Sequence, residues 1–426
     1  MSQTLLKPTI DQDFKPFQVL EAAEFSQQIL WDIQNAKDFI FIKSFLWRND
    51  EAGRELAGAL LDAANRGVQI YIIKDKKGAV FEYGEGNGQS FFHDEPLTDP
   101  IAFGQSRIIR HYYQTETDPP AKNEMLDDFV THRGIEALYD YKLSDHSKVI
   151  VIDGKISFTG GINFGSNEFH HQFSPDDKRL IDYMVRIEGK REAQALLKTL
   201  DGTVEPADEE GLDVTFIHEI EFGKARINQD LARFIIETRG QMRQMIAFHS
   251  EPEYCEAIAG LLVHGVPATL ITPSRPSTNR YSNPIFLKKL AAISQRKGDL
   301  NVAFHPQTFH AKIVHDDERA RLGSQNQSMP DGLVAETVIH TEKPEYVAKI
   351  KEVVDNEQAR CEIFSGRDLQ EILKERYPFW SNLDRIAIER TGLAAEHTVA
   401  RRKTKKVNAH RKICRELIAK VLKKME

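Results

Sequence analysis

Apolar positions near the start of the chain follow two alternating spacings. Phe25 to Ala36 has helical spacing and leads into Phe39-Ile40-Phe41-Ile42, a run too short to assign by period alone. Its β-favouring composition predicts a buried strand. Leu56, Leu60, Leu61 and Ala64 then recur at helical spacing, Gly67 marks a stop, and a second apolar run extends from Val68 to Ile73. The same order returns later: helical Leu231 to Thr238, strand-like Met245 to Phe248, helical Ile258, Leu261 and Leu262, Gly265-Val266, and strand-like Ala268 to Ile271. Two α/β halves of one design are therefore expected, each with a mixed sheet. Such sheets place ligands at strand ends, where loops converge.

Glu205 to Gly211 is acidic and contains Gly and Pro, which suits a linker. The expected division is a first domain over 1–203, a linker over 204–212, a second domain over 213–365 and a helical, basic extension over 366–426. The first half carries an additional stretch from Gly84 to about Arg133, opening with Gly84-Glu85-Gly86-Asn87-Gly88, which suits either a substrate-shaping lid or a surface loop. A composition of 41% hydrophobic and 28% charged residues, without an apolar run of the roughly 18–20 residues needed to span a bilayer, excludes an integral membrane protein at the sequence level. Met1 to Lys15 lacks a secretory layout, and Cys255, Cys361 and Cys414 are too scattered for a disulfide framework or a zinc site. A cytoplasmic setting is expected. The formal net charge of −7 argues against bulk wrapping of nucleic acid.

The strongest chemical signal is a constellation that closes each half. The first reads His146-Ser147-Lys148, a four-residue apolar run, Asp153, then Gly160-Gly161-Ile162-Asn163. The second reads His310-Ala311-Lys312, Asp317, then Gly323-Ser324-Gln325-Asn326. On a strand, two side chains two apart aim at one face, so each imidazole and ammonium converge on one pocket. The glycines let a backbone come close to a ligand, and each Asn amide can donate to a phosphate oxygen. A lone His-x-Lys is ordinarily a surface histidine beside a snorkelling lysine. Recurrence at matching places changes that, because paired cations at strand ends await an anion. From His146 to Asn163 is 17 positions and from His310 to Asn326 is 16, so Asp316 competes with Asp317 for the second motif's acidic position.

These paired motifs resemble the signature of the phospholipase D superfamily, over roughly Phe17 to Phe364. Thr159-Gly160-Gly161-Ile162-Asn163 and Asp182-Tyr183-Met184-Val185-Arg186-Ile187-Glu188-Gly189 resemble bacterial cardiolipin synthases in particular. Gln327-Ser328-Met329-Pro330 departs from what those enzymes show after the second Asn. The resemblance implies two tandem α-β-α sandwich domains related by a pseudo-twofold axis. It further implies phosphodiester transfer through a phosphohistidine, with His146 as nucleophile and His310 as acid/base. The residues alone do not exclude the reverse assignment. Lys148, Lys312, Asn163, Asn326 and Ser324 would hold the phosphoryl oxygens. Asp182 and Glu336 would orient the imidazoles, whereas Asp153 and Asp317 would brace the motifs. No metal and no cofactor is implied.

The site pattern does not choose between phospholipid and nucleic acid. In the basic tail, Arg401, Arg402, Lys403, Lys405, Lys406, Arg411 and Lys412 precede an apolar stripe of Ile413, Leu417 and Val421 flanked by Ile418 and Leu422. Such a helix can lie on an anionic membrane or dock on the protein. The expectation is therefore a monomeric enzyme acting on phospholipid, peripheral on the inner face of the cytoplasmic membrane, with the tail serving membrane binding and not chemistry. A metal-independent nuclease and a degenerate, non-catalytic binding module are the alternatives; retention of both His and both Lys argues against the second.

Overall fold

The computed structural model describes residues 16–84, 90–93, 104, 106, 123–166, 168, 180–203, 211–220, 226–249, 252–274, 282–297, 299–327, 334–376 and 404–426. Most of the 84–133 stretch and most of the expected linker lie outside the described residues.

The apolar run of the first half forms β2 (Phe39–Ser44), buried along its whole length. The helix Glu51–Asn65 carries the chain across to β3 (Gln69–Lys74), and the two strands pair in parallel, as a crossover helix requires. Asp50 starts that helix by accepting from Gly53 N at 2.9 Å. Gly67, at φ +100°, ends it with a conformation that a side chain would strain. The remaining strands of this half are β1 (Phe17–Glu21), β4 (Ile135–Leu138), β5 (Val149–Ile152), β6 (Ile156–Gly160) and β7 (Tyr183–Glu188). The second half contains β8 (Thr215–His218), β9 (Met242–Ile246), β10 (Ala268–Pro273), β11 (Leu300–His305), β12 (Lys312–His315), β13 (Ala320–Gly323), β14 (Thr337–Thr341) and β15 (Glu362–Ser365).

The duplication is visible in the strand order. The first sheet runs β1-β7-β6-β5-β2-β3-β4; the second, taken from its β8 edge, runs β8-β14-β13-β12-β9-β10-β11-β15. The two match strand for strand, with β15 added at one edge. In both, the motif-bearing strand lies antiparallel to the first apolar strand, so Val149 sits opposite Lys43 and Lys312 opposite Ile246. Both motifs thus begin at the carboxyl ends of the parallel strands, where α/β sheets bind ligands.

Each half has an outer core of its own, and a third cluster joins them. Val149 and Val151 of β5 and Ile313 of β12 belong to this shared core. Phe17 stacks on Tyr346 across the halves with ring centroids 4.1 Å apart, and Tyr183 donates to Glu357 at 2.9 Å. The helix Gly366–Arg376, grouped with the extension on sequence, packs Leu369 and Leu373 into the second half's outer core.

The basic tail corrects a sequence expectation. Residues 404–425 are helical, but Leu417, Ile418 and Val421 of the stripe are buried in the shared core with Cys414, and Leu422 packs against it, so most of the stripe is covered by protein; Ile413 alone of its members stays exposed. Burial of apolar side chains at roughly 1.5–3 kcal/mol each is reason enough for the helix to dock. Lys405, Lys406, Lys412 and Lys423 remain exposed on its outer face. Among the described residues no helix is long and apolar enough to cross a membrane.

Candidate active site

The two motifs meet where the halves face each other. The imidazole rings of His146 and His310 lie 6.3 Å apart, centroid to centroid, and nearly perpendicular at 88°. Each His precedes its strand in an extended segment tied to the opposite half: His146 N donates to Ala335 O at 2.7 Å and His310 N to Ile181 O at 2.8 Å. The acids are exchanged in the same way. Glu336, of the second half, lies 3.1 Å from His146 Nδ1, while Asp182, of the first, lies 3.0 Å from His310 Nδ1. One composite site results, and neither half holds its own histidine.

The two imidazoles differ in their bonding. His146 Nδ1 faces Glu336 Oε2 and, at 3.2 Å, the carbonyl oxygen of Ser324. Both are acceptors, so Nδ1 carries the hydrogen and Nε2 carries the lone pair in the neutral ring. Burial, aided by the nearby Lys148 charge, lowers the His146 pKa to about 4 and keeps the ring neutral near pH 7. His310 Nδ1 instead sits between an acceptor, Asp182 Oδ2, and a donor, Lys312 Nζ at 2.7 Å. Phe45 and Phe248 pack edgewise on His146 and His310, with centroids 4.8 and 5.8 Å away. Their signal in the sequence was an aromatic just after the first apolar strand of each repeat.

Both lysines are buried. Lys148 donates to His146 O at 2.6 Å, and Lys312 bonds His310 O and approaches Asp182 Oδ2 at 3.3 Å. Burial lowers the Lys148 pKa to about 7 and lowers that of Lys312 as well, despite the carboxylates nearby. Burial pushes the Asp182 carboxyl up, but Lys312 and His310 outweigh it and hold the group at about 2.

Several expected ligands have other commitments. The Ser324 hydroxyl is engaged with β14, accepting from Thr337 N at 2.9 Å and donating to Thr337 O at 3.3 Å. Asn163 donates its side-chain amide to Glu168 at 2.9 Å, leaving its buried Oδ1 without a partner among the described residues; Asn326 Oδ1 is in the same condition. Gly161 makes room for a carboxylate and not for a substrate: a Cβ there would lie 2.3 Å from the Asp182 oxygens. Asp153 and Asp317 stand at the far ends of their motifs. Asp153 accepts from the backbone of Lys37, Asp38 and Phe39 at the start of β2. Exposed Asp317 accepts from Gln241 N at 3.3 Å, whereas the buried Asp316 takes Arg239 N, Glu318 N, Arg319 N and the Arg319 guanidinium. The bracing in the second half is shared between the two aspartates.

Glu168 was not singled out in the sequence, where nothing marks it. It is buried, and one of its oxygens lies within 4.8 Å of ligand atoms of Asp182 and His310, a set that could hold a metal ion. The three are remote in sequence, so no spacing announced them. Lys312 Nζ beside Asp182 already supplies the cation there, and a metal would have to displace it.

Residues 29–202, which include the first motif and Asp182, match the family model described as "Cardiolipin synthase, PLD-like domain". Over those residues the chain is similar to a phospholipase D-like domain. It is 31% identical over 173 residues to cardiolipin synthase B of Escherichia coli (strain K12), covering 40% of this chain and 34% of that protein. It is 26% identical over 139 residues to the major cardiolipin synthase of Bacillus subtilis (strain 168), covering 33% of this chain and 23% of that one. The chain thus spans about a third or less of the length of these curated relatives. In fold it resembles the crystal structure of phosphatidylserine synthase from Haemophilus influenzae Rd KW20, with a TM-score of 0.59 at 15% identity, covering 90% of this chain and 94% of that one. The two halves share one fold, the second matching the first in strand order.

Proposed function

We propose that the protein transfers phosphodiester groups of phospholipids through a covalent phosphohistidine at His146, with His310 as acid/base. The observation that carries the assignment of roles is the bonding of His146 Nδ1, which leaves Nε2 as a free lone pair in a ring that burial keeps neutral. In the first step Nε2 attacks phosphorus, the bond from phosphorus to the leaving alcohol breaks, and His310 gives that oxygen its proton. In the second, His310 takes a proton from an alcohol or water whose oxygen attacks phosphorus, and the P–N bond breaks to restore His146. Lys148 and Lys312 offset the charge on the non-bridging oxygens. A phospholipid substrate is supported by the similarity to cardiolipin synthases across the first domain. Membrane contact would be mainly electrostatic, through Lys405, Lys406, Lys412 and Lys423, because most of the tail's apolar stripe is buried.

The test is rapid-quench labelling in EDTA with a 32P-labelled p-nitrophenyl diester, whose leaving group departs without protonation. Wild type should acquire an acid-labile, alkali-stable label, and His146→Ala none. His310→Ala should label and retain the label, because the base that activates the acceptor is gone, with turnover down about 10²–10⁴-fold. Labelling of His146→Ala but not His310→Ala would reverse the roles. Absence of label from all three would point to direct displacement by the acceptor.

A further inference from the structure

Three carboxylates are buried around the paired histidines, and two have evident duties: Glu336 holds His146 and Asp182 holds His310. Glu168 orients neither ring. Its Oε2 accepts from Asn163 N at 2.8 Å and Asn163 Nδ2 at 2.9 Å. Its Oε1 makes no hydrogen bond among the described residues; the nearest cation, Arg48 Nη1, stands 3.9 Å away. Burial pushes the Glu168 carboxyl up, but the charges of His310 and Arg48 outweigh it and keep the group ionised. A buried anion in a site for an anionic diester is unfavourable toward the phosphoryl group, although its charge also favours the ammonium forms of Lys148 and Lys312. One of its oxygens lies within 4.8 Å of ligand atoms of Asp182 and His310, which puts it beside the group assigned here to protonate the leaving alcohol and deprotonate the incoming one. The unpartnered Oδ1 of Asn163, whose amide is bonded to Glu168, adds a second acceptor nearby.

We propose that Glu168, with Asn163, selects the incoming alcohol by accepting a hydrogen bond from a second donor on it, a further hydroxyl or an ammonium group. This rests on the phosphohistidine reading above and adds the chemistry of the acceptor to it. A polyol or amino alcohol brings a second donor to Glu168 Oε1, whereas a simple alcohol, whose one O–H goes to His310, brings none. One hydrogen bond to a charged group discriminates roughly ten- to a hundredfold.

The test uses the full chain with a soluble p-nitrophenyl diester and ethanol, glycerol or ethanolamine as acceptor. Release of p-nitrophenol reports formation of the phosphoenzyme, and the ratio of transfer product to hydrolysis product reports its partition. Wild type should favour glycerol or ethanolamine over ethanol by about tenfold or more; which of the two leads tells hydroxyl from ammonium. Glu168→Gln, which keeps the shape and can still accept from Asn163 N, should form the phosphoenzyme at the wild-type rate and lose that preference. Equal partition among the acceptors in wild type overturns the proposal without any variant. So does a Glu168→Gln protein that keeps the preference, or one that slows phosphoenzyme formation and transfer alike, which is the signature of a loop brace. Absence of any phosphoenzyme in wild type removes the underlying mechanism instead.

Discussion

Lys148 has the most consequential environment of any single residue, because its ammonium is buried and its pKa lies near 7 in the free protein. An arriving phosphodiester is the anion that restores its proton, so binding of an anion near pH 7 to 8 should take up protons. Calorimetry of dimethyl phosphate binding, an anion with no titration of its own near pH 7, in two buffers of different ionisation enthalpy measures that uptake, and equal heats would refute it. Apparent affinity for a diester should weaken above about pH 7, and Lys148→Arg should flatten that alkaline limb, since guanidinium stays charged. The histidines and lysines were legible because each pair recurs at matching places in the two repeats. The duties of Ser324 and Gly161 were not: the Ser324 carbonyl serves His146, 178 positions away, and Gly161 yields space to the Asp182 carboxylate. No local spacing encodes contacts of that separation.

Among the elements, the C-terminal helix departs most from its sequence reading. Its amphipathic pattern fitted a membrane or a protein surface equally, since both reward burial of one apolar face. What decided the matter is a groove between the two halves, and Arg411 seals it. The Arg411 guanidinium donates to Leu143 O at 2.8 Å and Ser144 O at 2.7 Å, just ahead of His146, and reaches Glu219 O and Ile220 O of the other half at 3.4 Å. Ser144 holds a positive φ of 48°, a conformation that needs such support. Arg411→Ala should therefore cost on the order of 3 kcal/mol in a denaturant titration, while the exposed neighbour in Lys412→Ala should change stability by less than about 0.5 kcal/mol. Similar losses in both would mean that the buried contacts contribute little. Lys412→Glu should instead weaken binding to anionic vesicles at low salt, a surface effect screened as ionic strength rises.

Among the described residues, burial holds several histidines below their usual pKa. Burial lowers His93 and His218 to about 3 and His146 and His249 to about 4, from 6.5. Their folded pKa values lie below the unfolded ones, so the unfolded chain binds the extra protons as pH falls. Stability from this source is complete above about pH 6.5 and is lost progressively toward pH 4 to 3, at up to about 1.4 kcal/mol per histidine per pH unit. Calorimetric melting should show Tm dropping steadily between pH 6.5 and 4.5, and a flat Tm over that interval would contradict the burial assigned to these rings. At this scale the amino-acid sequence by itself determined the duplication, the mixed α/β halves and the identity of the paired histidines and lysines. Those are properties of period, recurrence and residue chemistry, all carried within a few tens of residues. Tertiary structure alone decided that Asp182 and Glu336 exchange halves, that Glu168 joins them, and that the tail closes the interface. The physical reason is that each of these depends on how two separately patterned sheets face one another. Buried charges find their partners across that interface because desolvation leaves them no alternative, and a one-dimensional pattern holds no record of the approach.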